Sequence, residues 1–208
     1  MTRSAADHLP DTRSLPQLRD AAATCTGCDL YKDATQTVFG EGTRNAEIML
    51  VGEQPGDRED LEGAPFVGPA GRLLDRSLES AGIDRKKVYV TNVVKHFKWT
   101  ERGKRRIHKK PSMAEISACR PWLDAEVEAV RPKIVVCLGA TAAQAVIGRE
   151  FRVSRQRGEF VETEDMPLLT ATVHPSSVLR APDAETRKLE EKYFTEDLAQ
   201  VARRLADL

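Results

Sequence analysis

Aromatic residues are scarce in this chain, 5% of 208, so each one that stands beside a motif gains weight. No run of about 18 apolar residues occurs, which excludes a membrane-spanning helix. The start, Met1-Thr2-Arg3-Ser4, leads into polar residues and not into the apolar stretch of a secretion signal, so the expected location is the cytoplasm, with no membrane partner. Repeats and low-complexity linkers are absent as well. With 40% hydrophobic content the expectation is a single core. It is assigned to residues 15–208, behind a loose tail over residues 1–14 that carries Pro10, and the chain is expected to be a monomer. Only four cysteines are present, Cys25, Cys28, Cys119 and Cys137. In a reducing compartment a close pair such as Cys25 and Cys28 points to metal ligation or redox chemistry before it points to a disulfide.

Net charge is also missing, since 32 Lys and Arg balance 32 Asp and Glu. The balance is not local. Between Lys98 and Lys110 seven Lys or Arg face one Glu, a segment charge of +6, leaving the remainder about six charges negative. Such asymmetry marks an anion-binding element, and a polyanion such as nucleic acid is its natural partner. Inside it lies Lys104-Arg105-Arg106-Ile107-His108-Lys109-Lys110, one histidine among five cations. Neighbouring cations lower an imidazole's pKa and keep its lone pair free to act as base or nucleophile. An incidental histidine in a flexible basic loop would have the same composition.

Four short apolar runs are spaced too widely for hairpins: 47–51, 87–91, 133–138 and 168–173. Helical patterns over about 69–82, 112–130 and 139–148 lie between them, a helix of about 15–24 precedes them, and a final one covers about 184–206. The last is amphipathic through Leu189, Phe194, Leu198, Val201 and Leu205. The order implies βαβ units, hence a three-layer α/β/α fold around a mainly parallel four-stranded sheet. Ligands of such sheets gather at the carboxyl ends of the strands. That edge collects Gly52-Glu53-Gln54-Pro55-Gly56-Asp57, Asn92 with the basic stretch, Gly139-Ala140-Thr141, and His174-Pro175-Ser176-Ser177.

Each of these has a plainer alternative. The first could be a solvated turn, although it exposes Glu53 and Gln54 above a strand, and its spacing is neither a phosphate-loop nor a dinucleotide signature. Phe66, in the Gly/Pro-rich stretch 65–71, could stack on a base or fill the core beneath its loop. Asn92 could cap the strand, yet its amide both donates and accepts, which is what reading a pyrimidine edge requires. His174 is held by Pro175 and faces Glu53 across the edge. For a metal, Cys25 and Cys28 have the right spacing but need partners. Cys119 and Cys137 are thiol candidates, Cys137 inside an apolar strand, and His96 is a nitrogen candidate; zinc or an iron–sulfur cluster would accept such a set.

Taken together the motifs resemble the uracil-DNA glycosylase superfamily, in its iron–sulfur branch related to the family four enzymes. The resemblance runs from about Cys25 to Leu205. It rests on Gly52-Glu53-Gln54-Pro55-Gly56, on Asn92, and on His174-Pro175-Ser176-Ser177-Val178-Leu179-Arg180. The ordinary branch has Lys-Cys-Arg-Pro where this chain has Lys95-His96-Phe97-Lys98, and it lacks the insertion carrying Lys104 to Lys110. Both departures resemble the UdgX type, in which Gly-Glu-Gln-Pro-Gly and Lys-Arg-Arg-Ile-His occur together.

The resemblance implies excision of uracil from DNA, single-stranded by preference, followed by covalent attachment of the protein to the abasic sugar through His108. It implies that Phe66 stacks on uracil, Asn92 reads its edge, Gly52 and Gln54 line the pocket, and His174 with loop amides stabilises the departing anion. Glu53 would stabilise the sugar cation and accept a hydrogen bond from His108. Gln54, Asp57 and Arg106 would hold substrate and the inserted loop of about 97–111, while Lys104, Arg105, Lys109, Lys110 and Ser176 would contact the DNA backbone. A [4Fe-4S] cluster is implied on Cys25, Cys28, His96 and Cys119, with Cys137 as the alternative to His96 and zinc as the alternative metal. An ordinary turnover glycosylase and a non-catalytic metal-containing nucleic-acid-binding module remain the rival readings. A nucleotide-binding enzyme is a further one at the level of fold alone.

Overall fold

The structure, a computed structural model, describes residues 3–12, 14–164 and 167–208. Among them are seven strands: β1 (Ile48–Gly52), β2 (Val88–Asn92), β3 (Trp99–Arg102), β4 (Arg105–His108), β5 (Ile134–Leu138), β6 (Phe160–Val161) and β7 (Leu168–Thr172). The helices are α1 (Leu15–Ala22), α2 (Asp57–Glu62), α3 (Pro69–Ser80), α4 (Met113–Val130), α5 (Ala140–Val146), α6 (Val153–Gln156), α7 (Pro175–Leu179) and α8 (Ala184–Ala206).

The four expected strands pair in parallel in the order β2-β1-β5-β7, and the short β6 adds a fifth at the β7 edge, running antiparallel. The sheet therefore has five strands and not four. Two residues of β6 are too few to show an alternation in sequence. Every residue of β1, β2 and β5 is buried, as a parallel sheet covered on both faces requires. Alternate side chains serve opposite layers: Met49 and Val51 join Leu18, Trp122 and Ala142 of α1, α4 and α5. Ile48 and Leu50 join Leu73, Leu74, Phe194 and Leu198 of α3 and α8 on the other face. In α8 Phe194, Leu198 and Val201 are buried as expected, but Leu189 is 47% exposed, because the sheet ends before the helix does.

Helix starts follow local chemistry. Ser112 accepts from the Glu115 amide while Glu115 accepts from the Ser112 amide, a capping box that fixes where α4 begins. Asp183 caps α8 in the same manner through the Thr186 amide. No helix among the described residues is long and apolar enough to cross a membrane.

Two stretches expected to be irregular are not. The basic insertion is a β-hairpin, β3 against β4, in the register Trp99↔His108, Thr100↔Ile107, Glu101↔Arg106 and Arg102↔Arg105. Its turn uses Gly103 at φ 62. Ahead of α1, Ala5–His8 forms a 3-10 turn with Ala5 buried in the core, so that part of the N-terminal stretch is packed and not loose. Residues 1, 2 and 13 of the stretch lie outside the described residues.

Candidate active site

A cleft of about 710 Å³ opens at the carboxyl ends of β1, β2, β5 and β7. Its floor is Asn92, the last residue of β2, 2% exposed, whose Nδ2 has no hydrogen-bond partner. A buried, unpaired amide costs roughly 1–3 kcal/mol, so a polar ligand group at this point would be strongly favoured. Gly52 lies opposite Asn92 in the register, where a Cβ would come within 2.3 Å of Asn92 Oδ1 and 3.0 Å of the Phe66 ring. Only glycine fits there.

Phe66 adopts a left-handed backbone, φ 57, that a bulky residue rarely takes. Two features hold it. Gly71 leaves space for the Phe66 carbonyl, which a Cβ would approach to 1.5 Å. Glu59, at the start of α2, accepts from the Gly56 amide at 3.0 Å and also bonds the Phe66 backbone; burial raises its pKa while those two bonds lower it. The Phe66 ring faces the His174 ring at 6.0 Å and 27°.

The proton on His174 can be located. Its Nδ1 accepts from the Ser176 amide at 3.1 Å, and Ser176 Oγ lies 2.7 Å away. That assigns the neutral ring's proton to Nε2. Burial, then Arg180 and His108, lowers its pKa to about 4, so the ring is neutral at pH 7 and can donate.

His108 ends β4, and its Nε2 stands 3.3 Å from Glu53 Oε1. Its pKa is lowered, first by burial and then by Arg180, against the opposing pull of Glu53. The cations adjacent in sequence are not the cause, contrary to expectation, because Lys104, Arg105, Lys109 and Lys110 point outward and are exposed. Arg180 was not singled out from the sequence. Its signal was present: it lies four residues after Ser176, on the same face of a helical turn, and donates to Ser176 Oγ at 3.1 Å.

The hairpin is fastened by three side chains, the first being Trp99, whose Nε1 donates to the Asp33 carbonyl at 2.9 Å. Arg106 bonds Asp57 Oδ1 and the fully buried Asp60 Oδ2, each at 2.6 Å. Its guanidinium lies 5.4 Å from the Phe97 ring centroid and 5.6 Å from that of Trp99. Gln54, 6% exposed, donates through Nε2 to the carbonyls of Lys98 and Lys109 at 3.1 and 3.2 Å and accepts from the Lys98 amide at 3.2 Å. The Gln54 amide is thus engaged by the base of the hairpin, and Ser176 Oγ by His174 and Arg180, while both residues line the cleft.

Among the described residues no group of three or more His, Cys, Asp or Glu is placed to hold a single metal ion. The thiols of Cys25, Cys28 and Cys119 do share one neighbourhood. Cys119 is pushed up to about 12 by burial, with Cys28 and Cys25 adding to the rise. N–H groups aim at two of these sulfurs: Trp122 Nε1 at 3.2 Å and Gly27 N at 3.4 Å to Cys25, and Lys95 N at 3.3 Å to Cys119. His96 Nε2 is 2.9 Å from Thr37 Oγ1, whose own proton goes to the Ala22 carbonyl at 2.9 Å. Nε2 therefore carries the ring proton and Nδ1 keeps the lone pair a ligand needs. Cys137 stands apart, in β5 beside Val51 and Ala171; burial pushes it up to about 12, and Arg120, not another thiol, is the group that bears on it. Its side chain packs in the core layer that also holds Cys25 and Cys119.

A parallel sheet whose strand ends carry this Asn, His and Glu set defines a family, and comparison with known proteins agrees. The model of the uracil DNA glycosylase superfamily matches residues 39–199. The type-4 uracil-DNA glycosylase of Archaeoglobus fulgidus is 40% identical, over 81% of this chain and 85% of that protein. The type-4 enzyme of Thermotoga maritima is 37% identical, over 79% and 83%, and the type-5 enzyme of Pyrobaculum aerophilum 31%, over 79% and 73%. The chain belongs to the uracil DNA glycosylase superfamily.

Proposed function

We propose that this protein excises uracil from DNA, single-stranded by preference, and is then retained on the abasic sugar through a covalent bond from His108, as in the UdgX type. The observation that carries the reading is the meeting of His108 with Glu53 at the mouth of the cleft floored by the unpaired amide of Asn92. Excision is supported by the relatives, which are named type-4 uracil-DNA glycosylases.

Excision needs the base out of the stack, which costs least in a single strand. Asn92 Nδ2 donates to uracil O4 and its Oδ1 accepts from N3, while Phe66 covers the ring. Cleavage of the N-glycosidic bond places negative charge on uracil and positive charge on the sugar. The neutral His174, donating through Nε2, stabilises the first, and Glu53 the second. A ring nitrogen of His108 then forms the bond to C1′ with its lone pair, and the remaining ring N–H proton leaves to Glu53 or water. Water is not consumed, so turnover ends.

Cys25, Cys28, Cys119 and His96 fit a [4Fe-4S] cluster in donor chemistry, since a polynuclear cluster needs its ligands farther apart than a single zinc ion does. Such a cluster would brace α4 and the segment after β2 from behind the pocket. Exposed Lys104, Arg105, Lys109 and Lys110 would hold phosphates.

The test is a denaturing gel of protein mixed with a uracil-containing single strand. The reading requires a shifted, heat-resistant band that disappears with His108→Ala while uracil release continues. The type-4 relatives favour an ordinary turnover enzyme as second reading; uracil release without any band would establish that one.

A further inference from the structure

The segment after β2 runs from the cleft floor to Cys119. The amides of Val93 and Val94 donate to the carbonyls of Gly52 and Glu53 at 2.9 and 3.0 Å, and that of Lys95 reaches Cys119 Sγ. At its centre is an ion pair with no contact to water: the side chains of Lys95 and Glu126 are 1% and 0% exposed. Lys95 Nζ spends its three protons on Glu126 Oε2 at 2.5 Å, Thr91 Oγ1 at 2.6 Å and the Asn92 carbonyl at 2.7 Å. Glu126 Oε1 accepts from Gly40 N, Tyr89 Oη and Thr91 Oγ1, each at 3.0 Å.

Burying two full charges is a poor way to stabilise a core, since desolvation cancels most of the attraction and apolar residues of like volume do as well. What apolar residues cannot do is hold a carbonyl from a fixed direction. The carbonyl held here belongs to Asn92, the residue whose side-chain amide is buried and unpaired at the cleft floor.

We propose that Lys95 is a positioning residue for base reading: its ammonium, neutralised by Glu126, fixes the Asn92 peptide and so sets where the Asn92 amide points. This rests on Asn92 contacting the base, as argued above. Thr91, Tyr89 and the Gly40 amide complete the hydrogen bonding of the pair, and the carbonyl it holds is that of Asn92.

The test uses the full chain with Lys95→Met and Glu126→Leu together, which removes both charges and keeps the volume, beside Glu126→Gln and Asn92→Ala. Three quantities are measured: the single-turnover rate of uracil release at saturating single strand, the Kd for a uracil-free strand, and the melting temperature. The double variant is expected to melt lower, because Gly40 N, Tyr89 Oη and Thr91 Oγ1 lose their acceptor, to bind the uracil-free strand like the parent, and to release uracil about 100-fold more slowly, the effect of misplacing a group by about 1 Å. Glu126→Gln takes away the charge that neutralises Nζ and is expected to lose melting temperature and to slow uracil release as well. A folded double variant with the parental rate overturns the proposal. Should the double variant not fold, Glu126→Gln decides: a folded protein with the parental rate overturns it. Asn92→Ala at the parental rate would instead overturn the reading of Asn92, and Lys95 with it.

Discussion

The cleft floor and the hairpin above it are built in opposite ways. Asn92, Phe66 and His174 are set by backbone: a glycine opposite, a left-handed turn with room made by Gly71, and an amide on Nδ1. Asn92 ends a buried strand of the sheet, and Phe66 and His174 lie in the turns beside it. His108 is carried by a two-stranded hairpin whose outer face is exposed, docked by one guanidinium, one side-chain amide and one indole. An isolated hairpin has little stability of its own. On the proposed function, the contrast makes base recognition and sugar capture separable, one resting on the sheet edge and the other on the hairpin.

Damage to the floor should have the largest effect, because it removes both steps. His174→Ala is expected to slow uracil release by about 10²–10³, as for loss of one oxyanion donor, and the adduct should fall with it; timed release assays measure this. Damage to the hairpin should separate the steps. Arg106→Ala leaves the buried Asp60 without its cation, weakens the anchor by up to about 3 kcal/mol, and is expected to cut adduct yield while uracil is still released. Both products are read from one time course.

Acid should separate them too. His174 becomes charged only near pH 4. His108 becomes charged below its ordinary 6.5, at a depressed pKa. A protonated ring has no lone pair, so capture is flat above about pH 6.5 and is lost as pH falls through the His108 pKa. The account expects this loss to come before that of release, giving a pH window of free uracil without adduct. Parallel loss of both activities would break the comparison. The smallest effect belongs to the outer cations: Lys110→Ala should reduce the slope of log K against log salt by about 0.7 for a single strand, measured by titration.

Much of this was legible in the sequence. The four buried strands announce themselves as apolar runs, and the residues at their carboxyl ends include Glu53, Asn92 and His174. The hairpin was not legible, because Thr100, Glu101, Arg102 and Lys104 to Arg106 offer no apolar alternation; its inward face is held by Arg106 through charge and ring contacts instead. Gln54 was legible as a cleft residue, but nothing in its neighbours tells that its amide also holds the base of the hairpin. Lys95 sits in an apolar stretch, Val93-Val94-Lys95-His96-Phe97, a hint of a buried charge whose partner, Glu126, is 31 residues away. Cys137 had the spacing of a ligand and the surroundings of a core residue.

The separability of the two steps comes down to one bond, and intact mass spectrometry reads it directly. Protein incubated with a uracil-containing single strand and denatured should show a species at the mass of protein plus strand less one uracil. Peptide mapping should place the added sugar on His108, and His108→Ala should yield free abasic strand alone. A parental protein that returns to its own mass while abasic strand accumulates would contradict the account.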